Sequence, residues 1–496
     1  MSLFPTGAPT RPFVLPRPRR TGLLLPALPA AVALAAGLWG LDAPPVWRDE
    51  AATVSAVTRT PAEMLDLLRQ VDAVHGVYYA FMHVVTAVFG TGDLALRLPS
   101  VLGGVLAASG LAVLGRDLGN PRAGLYGGLL LALMPTFSRY AQEGRPYALT
   151  MAAAVGATLL LVRAVRAPSR RRFCLYGAAL AGLAHLNLFA FLVVGGHGLY
   201  VLAEARRLRR PAGGGPRALL IPWCAAAGAA LVAVLPLAWF SSRQSAQVGW
   251  IHSPGPEELR LLAVRIFGDL GAPGSLWPGV APLVLALALY GMARCGAVAR
   301  LALPWLLLSP LVLLAASWAV HPYYVFRYVL CCVPAAALLA GAGLAALSRA
   351  LAVPLLVAGV GLAVPGHLAT RGPDGRQDNP EPLIAVLREA ARPGDAVAFA
   401  PGLTRKYLAV YPGVFARLDD VLLRRTPERD GSFSGRDVRP RVAATRLGGV
   451  RTLWVLGYAR KMRGAGWGDD LYPGSFECTG HWVSGGLAVA RLRALA

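Results

Sequence analysis

The feature that most constrains this chain is a succession of apolar runs about as long as a bilayer is thick. A helix that crosses the hydrocarbon core needs roughly 20 apolar residues. Runs of that kind recur from Thr21 to about Thr370 of the 496 residues. Only 15% of the chain is charged, against roughly 25% in soluble domains. The first run, about 21–41, lies too far inside the chain for a signal peptide. It also lacks a small-residue cleavage site, so it reads as a retained span.

The formal charge of +23 invites a nucleic-acid partner, but its placement argues against one. Arg11, Arg17, Arg19 and Arg20 precede the first span. "RAVRAPSRRRF" and "ARRLRRPAGGGPR" fall in two later connections. Basic residues confined to connections set orientation in a bilayer. A nucleic-acid binder would line them along one soluble face.

Walking the chain with the arginines inside gives an orientation. The N-terminus is cytoplasmic, and residues 42–94 form a long external loop. Its pieces at about 47–58 and 62–70 are amphipathic. The aromatic stretch "HGVYYAFMHVVTAVFG" is short for a span and reads as an interfacial helix. Spans follow at about 95–115, 122–137 and 147–165, which delivers Arg163, Arg166 and Arg170–Arg172 to the cytoplasm. Reading 75–90 as a span would put that cluster outside, against the charge rule. A hairpin at 173–204 around Asn187 comes next, then spans at about 217–240, 276–293, 301–319, 326–346 and 350–369. The expected architecture is mainly α, a polytopic membrane bundle of about eleven spans over residues 1–370.

"RGPDGRQDNPEP" then marks a boundary. Residues 371–496 read as a small α/β domain outside the cytoplasm, with a helix at "PLIAVLREAA" and strands at "AVAFA", "RTLWVLG" and "GLAVARLRA". Of six cysteines only Cys478 lies in this tail, and no CxxC occurs. Neither a disulfide framework nor a zinc site is implied.

Four polar stretches fall on the same external face. "VWRDEAA" holds Asp49 and Glu50 just past the first span. Taken alone, the pair is better explained by a solvated loop or a helix N-cap. "SRYAQEGRPYAL" holds Arg139, Tyr140, Glu143, Arg145 and Tyr147; snorkelling and aromatic anchoring would account for part of it. "VHPYYVFRY" holds His321, Tyr323, Tyr324, Arg327 and Tyr328. Arg327 lies inside an apolar run and needs a phosphate or carboxylate partner. "VDAVHGVYY" adds Asp72, His75, Tyr78 and Tyr79. Walker A, Rossmann and HExxH patterns are absent, so a nucleotide-driven pump is not supported.

The acidic "RDE" after span one, the long first loop and "ALRLPSVLGGVLAASGLAVLGRDLGNPRAGLYGGLLLALMPTFSRYAQEGRPYAL" together resemble the GT-C membrane glycosyltransferases. The similarity is to their protein O-mannosyltransferase-like, family 39-like bacterial branch. It is strongest over about 20–165 and returns at "FRYVLCCVPAAALLAGAGL". The resemblance implies transfer of a sugar, mannose or a pentose, from a polyprenyl-phosphate carrier to an extracytoplasmic protein, lipid or glycan. It matches the family's first-loop acid to Asp49, with Glu50 beside it, and the second-loop acid to Glu143. The family's "HPPL" reads "HGVY" at His75–Tyr78, and a strict DxD is missing, so Mg or Mn stays an open cofactor. The chemistry then asks for a base near the acceptor hydroxyl, which Asp49 suits, and for cations on the phosphate, which Arg139, Arg145 and Arg327 suit. His75, Tyr79, Tyr147, His321 and Tyr324 are expected around the substrates. The non-catalytic alternative, a lipid-linked glycan transporter or assembly scaffold, would need a polar path through the spans, and none is visible.

Overall fold

The computed structural model describes residues 21–207, 216–270, 279–462 and 475–495. The N-terminal arginines, the middle of the "ARRLRRPAGGGPR" connection and the start of the 276–293 span lie outside them.

Among the described residues six helices are long and apolar enough to cross a membrane, and four more apolar helices are shorter. In chain order the bundle begins with α1 (Thr21–Leu38). The first loop then supplies α2 (Arg48–Val57), α3 (Pro61–Gln70) and α4 (Gly76–Phe89). There follow α5 (Asp93–Asp117), α6 (Pro121–Leu133), α7 (Pro135–Ala141), α8 (Tyr147–Arg166), α9 (Arg170–Leu186) and α10 (Val193–Arg207). The last part comprises α11 (Arg217–Ser242), α12 (Pro256–Ile266), α13 (Ala281–Arg294), α14 (Gly296–Ala319), α15 (Val333–Ala346) and α16 (Arg349–Arg371). The chain is a polytopic membrane protein.

Two predicted spans are shorter than expected. The run at 122–137 breaks at Pro135, which has no N–H to continue α6 and instead starts α7. The run at 326–346 opens with two short 3-10 turns, at Phe326–Tyr328 and Leu330–Cys332, before α15 begins. The hairpin break at Asn187 is as expected: its side chain accepts from the Phe189 N–H and ends α9.

Small residues let the helices close up, as in other membrane bundles. A Cβ on Gly343 of α15 would stand 2.0 Å from the Leu287 carbonyl of α13. On the far side of α15, a Cβ on Gly341 would stand 2.3 Å from the Gly127 nitrogen of α6. Only glycine admits such an approach, so α15 is the buried axis of the bundle.

The C-terminal domain carries α17 (Glu381–Ala390) on a five-stranded sheet. Its strands are β1 (Ala396–Ala400), β2 (Asp419–Asp420), β5 (Thr452–Tyr458), β6 (Phe476–Ser484) and β7 (Leu487–Ala494), in the order β2-β1-β5-β7-β6. A separate ribbon pairs β3 (Leu423–Arg425) with β4 (Arg436–Asp437). β1 runs parallel to β2 and β5, whereas β7 runs antiparallel to β5 and β6. Alternation along β1 and β5 sends Val397, Phe399, Trp454 and Leu456 to the α17 face and Ala398, Leu453 and Val455 to the other.

The domain sits on the first loop of the bundle. Ala51 of α2 is part of the α17-side core. The 3-10 turn Gly402–Leu408 packs along α2. Arg48 clamps Asp378 with its backbone N–H at 3.1 Å, its Nε at 2.6 Å and its Nη2, and Tyr407 adds its hydroxyl at 3.2 Å. The expected strands and helix are all present; the clamp that docks them was not foreseen.

Candidate active site

The site is built around α2, one turn past α1. Its first turn places adjacent acids on different faces, because successive helical residues point about 100° apart. Glu50 turns into the protein. Both its oxygens take Arg97 at 2.9 Å, from Nε and Nη2, and one also accepts the Gly144 N–H at 2.8 Å. Neither side chain of this pair is exposed. Asp49 turns the other way, toward Arg327, whose Nη1 lies 3.7 Å from Oδ2. That oxygen is buried and has no hydrogen-bond partner.

The loop between α7 and α8 is strapped against α2 and α5. Ser100 donates to the carbonyls of Glu143 and Arg145, Thr53 to that of Gly144, and Gln142 to those of Gly37 and Trp39. Gly144 is required there, since a Cβ would stand 2.5 Å from Leu96 Cγ. The strapping aims Arg145 at Tyr79 and His75. Its Nη1 donates to Tyr79 Oη at 3.1 Å, and Tyr79 in turn donates to Asp72 at 2.7 Å. Its Nη2 meets His75 Nε2 at 2.8 Å.

A guanidinium can only donate, so His75 Nε2 is the acceptor and the ring proton sits on Nδ1. That Nδ1 is buried and has no partner. Burial, then Arg145, holds this imidazole well below its usual range. His75 is therefore a neutral donor, with its lone pair already taken. Burial alone would raise the Asp49 carboxyl, but Arg327, Arg145 and Lys406 outweigh it and hold it below the usual aspartate range. The cluster presents an ionised acid, free of hydrogen bonds at its carboxylate, beside guanidiniums, which is a base next to an anion site.

Residues 76–240 match the family described as dolichyl-phosphate-mannose-protein mannosyltransferase. Over 95% of this chain and 98% of the other, the fold superposes on ArnT from Cupriavidus metallidurans in the apo state, with a TM-score of 0.61 and 15% identity. The chain has the ArnT-like GT-C fold. The same ArnT bound to undecaprenyl phosphate gives a TM-score of 0.57 at 14% identity and the same coverage. The Archaeoglobus fulgidus oligosaccharyltransferase complexed with Zn and sulfate gives 0.50 at 12% identity, over 88% of this chain and 68% of that one. No curated protein sequence matches.

Of the residues expected in the glycosyltransferase site, the structure gathers Asp49, His75, Tyr79, Arg145, Tyr147 and Arg327. Tyr147 is buried at the start of α8 and acts electrostatically on both Arg145 and Arg327. Glu143 is buried behind them. It is paired with Arg139, has Oε1 without a partner, and burial pushes its carboxyl up while Arg139 works against the rise. Arg139 also covers the Trp47 and Tyr140 rings, so its charge is committed to Glu143. Glu50 is committed to Arg97 in the same way and offers no free oxygen. His321 and Tyr324 are not brought to Asp49. His321 packs on Tyr323 with Nδ1 on the Pro322 carbonyl, and Tyr324 is buried near Arg265 and Tyr140.

The buried carboxylate oxygens of this cluster without a partner are Asp49 Oδ2 and Glu143 Oε1. Each belongs to a carboxylate already facing arginine, a setting that suits a bound anion better than a hard dication. Three residues of this neighbourhood were not expected from the sequence. Arg97 comes from α5 and is wholly buried. Asp378 and Lys406 arrive from the C-terminal domain, across more than 300 residues.

Proposed function

We propose that this enzyme moves one sugar from a polyprenyl phosphate to an acceptor hydroxyl at the extracytoplasmic surface, with inversion at the anomeric carbon. One observation carries the reading: the partner-free, ionised oxygen of Asp49 lies beside Arg327 and Arg145.

In the reaction the acceptor oxygen bonds to the anomeric carbon, and its proton passes to Asp49. The bond from that carbon to the phosphate oxygen breaks, and its electron pair leaves with the phosphate. The departing lipid phosphate is a stabilised anion and needs cations rather than an acid, the part Arg145 and Arg327 are placed to play. Retention would need a second carboxylate about 5 Å behind the sugar. Glu50 and Glu143 are tied to Arg97 and Arg139, which favours direct displacement. The His75 Nδ1–H is a donor available to a sugar hydroxyl or a phosphate oxygen.

Two further features support a lipid-linked donor. An apolar groove of about 370 Å³ between α3, α4, α9 and α11 is lined by Met64, Leu68, Gly76, Val77, His185 and Leu237. The ArnT that shares the fold has been captured with undecaprenyl phosphate. Sidedness rests on charge. At the end of the bundle away from the site Asp117 meets Arg116 and Arg163, and Glu204 meets Arg207 and Arg300. Basic ends face the cytoplasm, which leaves Asp49 outside. Mannose or a pentose is the proposed sugar, and a protein, lipid or glycan the acceptor. The test is turnover by purified protein of polyprenyl-phosphate mannose and polyprenyl-phosphate arabinose. Release of lipid phosphate with neither donor would sink the proposal.

A further inference from the structure

The Gly402–Leu408 turn brings Lys406 against the first turn of α2. Lys406 is 5% exposed, and among the described residues its ammonium makes no hydrogen bond or ion pair. The charged groups that act on it come from every neighbouring element: Asp49 and Arg48 on α2, Asp378 on the linker and Asp72 before α4. Arg48 and Asp378 neutralise one another. That leaves Lys406 to share Asp49 and Asp72 with Arg145 and Arg327.

The composition sharpens the point. Lys406 and Lys461 are the two lysines of the chain, and every other basic side chain among its 49 is arginine. An ammonium so largely enclosed and without a hydrogen-bond partner is costly unless an anion arrives to meet it, and Lys406 Nζ is not sealed off from such a ligand. We infer that Lys406 is the third cation of the donor-phosphate site, supplied by the C-terminal domain and shared between Asp49 and the phosphate.

Charge counting agrees, on the reading that the donor is a polyprenyl-phosphate sugar. Arg145, Arg327 and Lys406 balance Asp49, Asp72 and a phosphodiester one for one. As the sugar leaves, the phosphate gains a negative charge while Asp49 takes the acceptor proton. The pocket stays neutral from start to finish, and Lys406 can follow the charge from Asp49 to the phosphate. Without Lys406 the same step would run in a pocket with one uncompensated negative charge. Burial lowers its ammonium to about 8, against the pull of Asp49. Donor capture by the free enzyme therefore falls as pH rises through that value.

The experiment compares full-length wild type, Lys406→Met and Lys406→Arg, purified in detergent. Polyprenyl phosphate binding is titrated from pH 6 to 10, and thermal melting is measured alongside. Wild type is expected to bind and to weaken above about pH 8. Lys406→Met should bind about 10- to 100-fold more weakly, the worth of one charge-assisted hydrogen bond. It should also lose the alkaline limb and melt no lower than wild type, since it removes a buried charge. Lys406→Arg should restore binding and move the limb above pH 10. Equal binding by Lys406→Met overturns the assignment and leaves the donor reading standing. So does a loss of binding together with melting temperature that Lys406→Arg fails to rescue, because that marks a packing role. Wild type that binds no polyprenyl phosphate at any pH overturns the donor reading and this inference with it.

Discussion

Replacing Glu50 with Gln should unfold the protein rather than merely inactivate it, although Glu50 adjoins Asp49, the proposed base. Glu50 fills both its oxygens with Arg97, and the pair is wholly buried. Arg97 keeps only the Leu41 carbonyl, at 2.7 Å, as another acceptor. Glutamine offers one oxygen and turns an NH2 group toward a guanidinium that can only donate. Stranding one partner of a buried pair costs about 3–5 kcal/mol, a large part of the roughly 5–15 kcal/mol that holds a folded domain together. Thermal melting of purified Glu50→Gln should show a loss of that size or no folded protein. The double change Glu50→Leu/Arg97→Met removes both charges and should recover much of the loss. The pair also sets an acid limit. Burial would raise the Glu50 carboxyl, but Arg97 holds it below the usual range. Its contribution is thus complete above the unfolded carboxylate range and is lost as pH falls through the lower folded value. Glu50→Gln protein that melts with wild type yet transfers no sugar would refute the reasoning and make Glu50 catalytic.

Asp378→Ala should free the C-terminal domain from the bundle, because Arg48 and Tyr407 both lose their acceptor. Faster limited proteolysis near residues 371–380 and weaker transfer are expected, and unchanged digestion would contradict the docking role. Gly343→Val should prevent α15 from seating against α13, where even a methyl would meet the Leu287 carbonyl at 2.0 Å. The expected result is little folded protein on size exclusion in detergent. The acid limb of kcat/KM should lie below the ordinary aspartate range, because the cations around Asp49 hold it ionised. A limb near pH 6 or 7 would point to another base.

Much of the fold is legible in the sequence because lipid is a strict solvent. Apolar length marks the spans, and arginines between them mark orientation. The same rules bring "VWRDEAA" and "SRYAQEGRPYAL" to one end of the bundle, where the structure joins Thr53 to the Gly144 carbonyl at 2.9 Å. What the pattern could not decide was which of two adjacent acids faces Arg327 and which faces Arg97. That choice rests on the rotation of α2, fixed by Arg97 inside α5 and by the Gly144 N–H. Asp378 and Lys406 lay further out of reach. They meet α2 across a tertiary interface that no periodicity records, and the rarity of lysine was the one signal pointing to Lys406. His321 and Tyr324 show the converse. They belong to an aromatic-rich segment whose Arg327, and not they, turns toward Asp49.

The most direct test of the account is single-turnover transfer by Asp49→Asn protein that melts like wild type, using a radiolabelled polyprenyl-phosphate sugar and the acceptor that supports wild-type turnover. Loss of a general base costs about 10²- to 10⁴-fold in rate. Asparagine leaves the shape of the site intact but cannot take the acceptor proton, so a loss of that order with the donor still bound is the expected result. Transfer at the wild-type rate would remove Asp49 as the base and with it the proposed mechanism.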